Sequence, residues 1–337
     1  VISASCVTFT SRLTATPARL NHGLKVRRLN AAAGRLPRTN RLPMSGMNPI
    51  QARGSNGNNH TMAHQNTGQE FDAAVPDFHG GERIVLDGTK IEWHIDRVEA
   101  WMRGERIAPI TIDCALTRAC SYRCVYCYGA LQENDIKRMT RDVILHFLDD
   151  AAAIGVKAVS FVSDGESTCS PHFYDAVLHG HANGLDIACG TNGYLLKKER
   201  LPEILPALTY LRFNISAGEP ARYAEIHGCG PECYDVVLDN IRESVRIKRE
   251  SNLAVTIGLQ MVLMPQFADQ IMPLAKLGRD LGVDYLVIKH CSDDEDGSLG
   301  VDYSAYHDLV GLLRQSETLS TPDYAVRAKW SKILSGG

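Results

Sequence analysis

From Ile110 onward, short apolar runs alternate with longer stretches whose apolar residues recur at steps of three and four. The short runs read as strands and the longer stretches as helices. Strands are predicted at 110–116, 158–162, 185–188 (extending to Gly190), 210–215, 254–263 and 285–288. Helices are predicted at 141–154, 171–182, about 198–205, 234–249 and 269–281, the first closed by Gly155 and the fourth carrying Val236, Val237, Ile241 and Val245 on one apolar face. Strands alternating with helices of this length imply parallel βαβ units, and right-handed crossovers roll such units into a curved sheet. Upstream, 83–86 reads as a short strand and 90–103 as a helix with Ile91, Ile95, Val98 and Met102 on one face, stopped by Gly104. That helix is expected to pack on the sheet as a lid or base, with Trp93 and Trp101 as packing residues rather than ligand contacts.

Residues 1–80 lack any sustained period and are rich in Ser, Thr, Ala, Asn, Gly and Arg, which predicts a disordered or removable leader. Residues 1–69 hold eight Arg, one Lys and no acidic residue, so removing that +9 from the net −3 leaves −12 on the remainder. A body that acidic is not built for general nucleic-acid binding. The Arg-rich, acid-free stretch is also similar to an organelle transit peptide. The start at Val1 equally suits an incomplete or over-extended reading frame, with Met44, Met47 or Met62 as the start. No run of eighteen apolar residues occurs, so no transmembrane helix is expected. The ten cysteines, in a chain without a clean signal peptide and long enough to bury its own core, point to a reducing, cytoplasmic compartment and to metal ligation rather than disulfides.

Three of those cysteines organise the chain. Cys120, Cys124 and Cys127 stand at C-x3-C-x2-C spacing just after the first predicted strand, with the aromatic Tyr126 before the third. A structural zinc takes four ligands, and ordinary electron-transfer clusters take four cysteines. Three thiols in one loop without a clear fourth suggest a cubane cluster with one iron left open for chemistry. A zinc knuckle or three packed cysteines is the alternative.

This motif resembles that of the radical S-adenosylmethionine (radical SAM) superfamily. The resemblance implies that the three cysteines hold a [4Fe–4S] cluster whose open iron chelates the amino and carboxylate groups of S-adenosylmethionine (SAM). An electron from the cluster then splits the sulfonium to methionine and a 5′-deoxyadenosyl radical. It also implies a partial (β/α)6 TIM-like barrel, with function at the C-terminal ends of the strands. A doubly wound open sheet fits less well, because no Gly-rich phosphate turn follows strand one. After strand two, Ser163-Asp164-Gly165-Glu166 resembles the family's Gly-Gly-Glu segment, which receives the SAM amino group; Asp164 departs from it. Asn192 after strand three is similar to a ribose-orienting position, and Ser216 after strand four to a cofactor contact. Tyr126 joins them as a cofactor-side residue, and Lys289 after strand six is expected to meet a cofactor or substrate anion. Asn214, Ser216 and Gln260 should point into the barrel. No catalytic residue is assigned, and Cys229, Cys233 and Cys291 are not expected to hold an auxiliary cluster.

The domain plan expected is a leader over 1–80, a pre-barrel strand and helix over 82–105, a core barrel over 106–300, and a C-terminal helical segment over 301–337, with a short tail at its end and the chain truncated there or the barrel closed by a large substrate. The activity implied is hydrogen abstraction from a small-molecule or peptide substrate, with electrons from a flavodoxin- or ferredoxin-type donor and no membrane partner. The competing class is a non-enzymatic zinc or iron–sulfur binding protein.

Overall fold

In the computed structural model, which describes residues 77–79, 82–83, 94–131 and 138–334, the apolar runs pair side by side in chain order. Strands β1 (Asp77–His79) and β2 (Glu82–Arg83) form an antiparallel pair, with α1 (Ile95–Met102) following. The main sheet has seven parallel strands: β3 (Thr111–Asp113), β4 (Ala158–Phe161), β5 (Asp186–Thr191), β6 (Tyr210–Asn214), β7 (Thr256–Leu263), β8 (Tyr285–His290) and β9 (Ala325–Ala328). Helices α2 (Arg141–Ala153), α3 (Phe173–Ala182), α4 (Leu201–Ile204), α5 (Pro220–His227), α6 (Glu232–Glu250), α7 (Ile271–Leu281) and α8 (Val310–Glu317) occupy the crossovers, and α9 (Trp330–Ile333) follows β9. β3 and β9 lie at opposite ends of the strand order, so the curved sheet is a partial, unclosed barrel.

Register decides which residues face the lumen. Gly190 pairs with Arg212, Arg212 with Gly258, Gly258 with Tyr285, and Tyr285 with Ala325. Asn214 pairs with Gln260, and Val262 with Lys289. Neighbours in a parallel ladder share a face. The lumen face is therefore partly polar, while the alternate residues Leu211, Phe213, Ile257, Leu259 and Met261 are wholly buried beneath the helices. Ile144 and Leu148 of α2, Val177 of α3, Ile241 of α6 and Leu274 of α7 complete that outer core. Burial of such aliphatic side chains supplies the main stabilisation, ~1.5–3 kcal/mol each.

Several expectations are corrected. The sheet has a seventh strand, β9, inside the segment expected to be helical. Its four residues include Arg327, so it carries no apolar run. Helix α5 occupies a stretch expected to be loop; Pro220 starts it, and Tyr223 and Ile226 bury its inner side. Val236 departs from the predicted α6 face, being 39% exposed while Val237 and Ile241 are fully buried. Helix α1 buries none of its residues, and Trp101 is exposed rather than packed. The helix is held instead by the Arg97 guanidinium, which donates to the carbonyls of Ala108 and Gly155 at 3.1 and 2.9 Å. Those carbonyls precede β3 and β4, so α1 sits at the base of the sheet. β1 falls within the predicted leader; the rest of residues 1–80, the start of the 90–103 helix and the tail from Ser335 lie outside the described residues. Among the described residues no helix is long and apolar enough to cross a membrane.

Candidate active site

The segment carrying the three thiols lacks regular structure over most of its length, so its shape is imposed by neighbours. Glu166 N–H donates to Ala119 O at 2.9 Å, on the β4 side. Arg123 N–H and Val125 N–H donate to His227 O and Ile226 O at 3.1 and 2.9 Å, on the α5 side. Both clamps need a glycine. Gly165 has φ +70°, and a Cβ there would lie 2.3 Å from Thr117 O; Gly228 has φ +58°, and a Cβ there would lie 2.3 Å from Arg123 O. Neither backbone conformation nor space admits a side chain.

Behind the clamp, Glu166 is 4% exposed and its carboxylate is a junction. Its Oε1 accepts from Thr168 N–H (3.1 Å), Thr168 Oγ1 (2.8 Å) and Thr191 Oγ1 (2.7 Å), and its Oε2 accepts from Asn192 N–H (2.7 Å). Asn192 carries the link onward: its Nδ2 donates to Ser121 Oγ at 2.9 Å and approaches Cys120 Sγ at 3.9 Å. Charge-assisted bonds of this kind are stronger than neutral ones, so one buried carboxylate fixes the β4 and β5 loops to the thiol motif.

His227, fully buried, does the same from the other side. Ser216 N–H donates to its Nε2 at 3.0 Å, which obliges Nε2 to be an acceptor. Burial depresses the imidazole to about 3, so the ring is neutral and its proton sits on Nδ1. That N–H faces Cys124 Sγ at 3.3 Å and Tyr126 Oη at 3.4 Å. Burial pushes the Cys124 thiol up to about 12; in the apo state it is a thiol, and ligation must displace its proton.

The three motif cysteines line two recesses. One, of about 400 Å³, also has Arg118, Asp164 and Gly165 in its wall; the other, of about 270 Å³, runs past Glu166 and Asn192 to Arg212, Asn214, Gln260 and Lys289. Among the described residues no three His, Cys, Asp or Glu side chains could together hold a metal ion. Thiolates on one zinc lie about 3.8 Å apart, from a Zn–S bond of about 2.3 Å. The three thiols share one open recess, and one of them, Cys124, faces an N–H donor. The family model for the radical SAM superfamily matches residues 115–277. Residues 115–277 are a radical SAM domain.

The chain is 27% identical over 178 residues to the tungsten-containing aldehyde ferredoxin oxidoreductase cofactor-modifying protein of Pyrococcus furiosus, covering 52% of this chain and 49% of that one. It is 26% identical over 208 residues to the AdoMet-dependent heme synthase of Methanosarcina barkeri, covering 58% and 56%. The chain thus spans about half the length of the curated relatives it matches. In fold it is similar to Streptococcus suis SuiB solved with S-adenosylmethionine bound, with a TM-score of 0.55 and 16% identity over 73% of this chain and 57% of that one.

The radical SAM positions singled out in the sequence divide into two groups. Cys120, Cys124, Cys127, Tyr126, Gly165, Glu166, Asn192 and Lys289 come together on the second recess. Ser216 does not line it; it is 1% exposed, and its Oγ accepts from Val262 N–H at 3.1 Å. Cys291 is fully buried, with its thiol toward Tyr126 O at 3.8 Å. Two residues that sequence reasoning passed over are prominent: His227, at the end of a helix not foreseen, and Arg212, whose place at i−2 from Asn214 was the available signal.

Proposed function

We propose that this chain is an enzyme that reductively cleaves SAM and abstracts hydrogen from a substrate bound in the barrel lumen. Cys120, Cys124 and Cys127 would hold the [4Fe–4S] cluster, which with bound SAM supplies the 5′-deoxyadenosyl radical. The observation that carries this reading is that all three thiols line the same cavity as the polar lumen residues Asn214, Gln260 and Lys289. Gly165 brings its loop against the thiol segment, and the free lone-pair capacity on Glu166 Oε2 offers an acceptor to an ammonium. Asn192 and Tyr126 border the same space and would position the cofactor; Ser216 acts through His227 and the β7 backbone. Lys289, expected for cofactor or substrate, is at the lumen end. The core barrel proposed runs from 106 through β9. The substrate class proposed is a small molecule or peptide (SuiB has been solved with its precursor peptide SuiA), with electrons from a flavodoxin- or ferredoxin-type donor.

The test is anaerobic reconstitution of the full chain with iron and sulfide, reduction, and EPR with and without SAM, alongside a 5′-deoxyadenosine assay. A [4Fe–4S] signal that shifts with SAM, with 5′-deoxyadenosine formed and both lost in Cys124→Ala, is expected. Stoichiometric zinc, or a cluster indifferent to SAM, would overturn the proposal.

A further inference from the structure

Arg212 of β6 and Lys289 of β8 face the lumen and line the same cavity as the thiol motif. Arg212 lies two residues before Asn214, one pleat or roughly 6–7 Å deeper along the strand. It sits between Gly190 and Gly258 in the ladder, and a Cβ on Gly190 would come within 3.1 Å of its Nη2. A Cβ on Gly190 would also meet Val162 Cγ1 at 2.6 Å, the Tyr285 ring takes the place of a Cβ on Gly258, and the guanidinium carbon lies 5.9 Å from the centre of the Tyr210 ring.

Among the described residues neither cation has a counter-ion. Arg212 Nε is buried and makes no hydrogen bond. The Lys289 ammonium is in no hydrogen bond or ion pair among the described residues; burial first, and the nearby Arg212 charge second, hold it down to about 8, so it is charged at neutral pH. The carboxylate that lines this cavity, among the described residues, is Glu166, which bonds to Thr168, Thr191 and Asn192 and forms no ion pair with Arg212 or Lys289. The register sets Arg212 one pleat below the Asn214–Gln260 level and Lys289 one pleat above it, with the two amides between them joined by Gln260 Nε2 donating to Asn214 Oδ1 at 3.2 Å. Two desolvated like charges without a counter-ion are unfavourable unless something else supplies it.

We infer that Arg212 and Lys289 are the seat of an oxyanion, a carboxylate or phosphate carried by the substrate. The planar Arg fork fits two oxyanion oxygens, and the Lys ammonium adds a point charge. An anion anchored there holds the rest of the substrate between the lumen floor and the thiol motif, which places its C–H bonds toward the cluster end. The assignment to substrate rests on the function proposed above, in which the cofactor would be held at the thiol motif.

The test uses the full chain, reconstituted anaerobically, with inorganic phosphate as the probe. Calorimetry should show saturable, one-to-one phosphate binding. Arg212→Gln and Lys289→Gln should each weaken it by about tenfold or more, while the SAM-induced EPR shift persists in both. Arg212→Lys, which keeps the charge, should retain most of the phosphate affinity. No phosphate binding by the wild type, or equal binding by the charge-removing variants, overturns the inference, and the wild-type measurement does not depend on any variant folding. Loss of the SAM shift in either variant assigns the pair to the cofactor's carboxylate and overturns the substrate assignment. A wild-type cluster indifferent to SAM sinks the function proposed above, whereas the phosphate series still decides whether the anion seat exists.

Discussion

Lys289 should make the chain less stable than it would be without it. Its ordinary value of 10.5 is lowered to about 8 by burial and by Arg212. At ~1.36 kcal/mol per unit, that difference is about 3.4 kcal/mol between unfolded and folded chains. Because the ammonium opens on a cavity that water enters, a discounted value of about 2 kcal/mol is the better expectation. The folded-state value lies below the unfolded one, and the group is a base. At pH below about 8 both states are protonated and the fold bears the whole cost. As pH rises from 8 toward 10.5, the folded chain releases its proton first and the cost fades. Lys289→Met keeps the length and removes the charge, so it should stabilise the apo protein by about 2 kcal/mol near pH 7.5. Urea unfolding of the full chain near pH 7.5 and near pH 10 measures this, and the gap should shrink at the higher pH. Added phosphate should stabilise the wild type more than the variant at the same concentration, because a ligand stabilises the state that binds it in proportion to its affinity. A Met variant that is less stable than wild type at neutral pH, or a gap that ignores pH, would refute the reasoning.

Gly165→Ala forces a Cβ to within 2.3 Å of Thr117 O at φ +70°, so it should cost about 2 kcal/mol or more and lower the iron bound per chain, read by thermal melting and iron assay. Glu166→Ala strands the buried Thr191 hydroxyl and Asn192 N–H, and at about 1–3 kcal/mol per orphaned group it should drop the melting temperature and weaken SAM binding together; an unchanged melt would contradict the brace. His227→Phe removes the N–H facing Cys124 Sγ, so the cluster midpoint in an EPR-monitored redox titration should move to more negative potential with iron content retained. An unshifted midpoint would leave His227 a packing residue.

The barrel was legible because its strands are apolar on the outer face and its helices keep a 3.6-residue period; 256–263 and 271–281 read almost to the residue. β9 was not, because a four-residue edge strand with Arg327 pointing inward has no pattern to detect. Helix α5 hid behind Pro220 and Glu219, which look like a turn but serve as a helix start. The three thiols announced themselves because they fall within eight consecutive residues. Glu166 was singled out for the cofactor, yet its carboxylate is chiefly a structural junction, since its donors at Thr191 and Asn192 come from another strand. His227 was invisible as a site residue because its partners, Cys124 and Ser216, are far from it in one case and on another element in both.

Arg212 shows why the lumen needs the register. In the one-dimensional pattern it is a charge interrupting an apolar strand, and Gly190 and Gly258 are weak points in two others. The ladder sets the three side by side. Glycine in a strand interior loses packing and adds backbone entropy in the unfolded chain. A guanidinium with its Nε buried and unbonded loses solvation. Neither cost improves the hydrophobic core, which lies on the sheet's other face with Leu211, Phe213, Ile257 and Leu259. Gly190 leaves room for the guanidinium, whose Nη2 lies 3.1 Å from where a Cβ would stand, while the place of a Cβ on Gly258 is taken by the Tyr285 ring. A strand-interior glycine beside a guanidinium nitrogen that is buried and unbonded is accounted for by a ligand that carries the opposite charge.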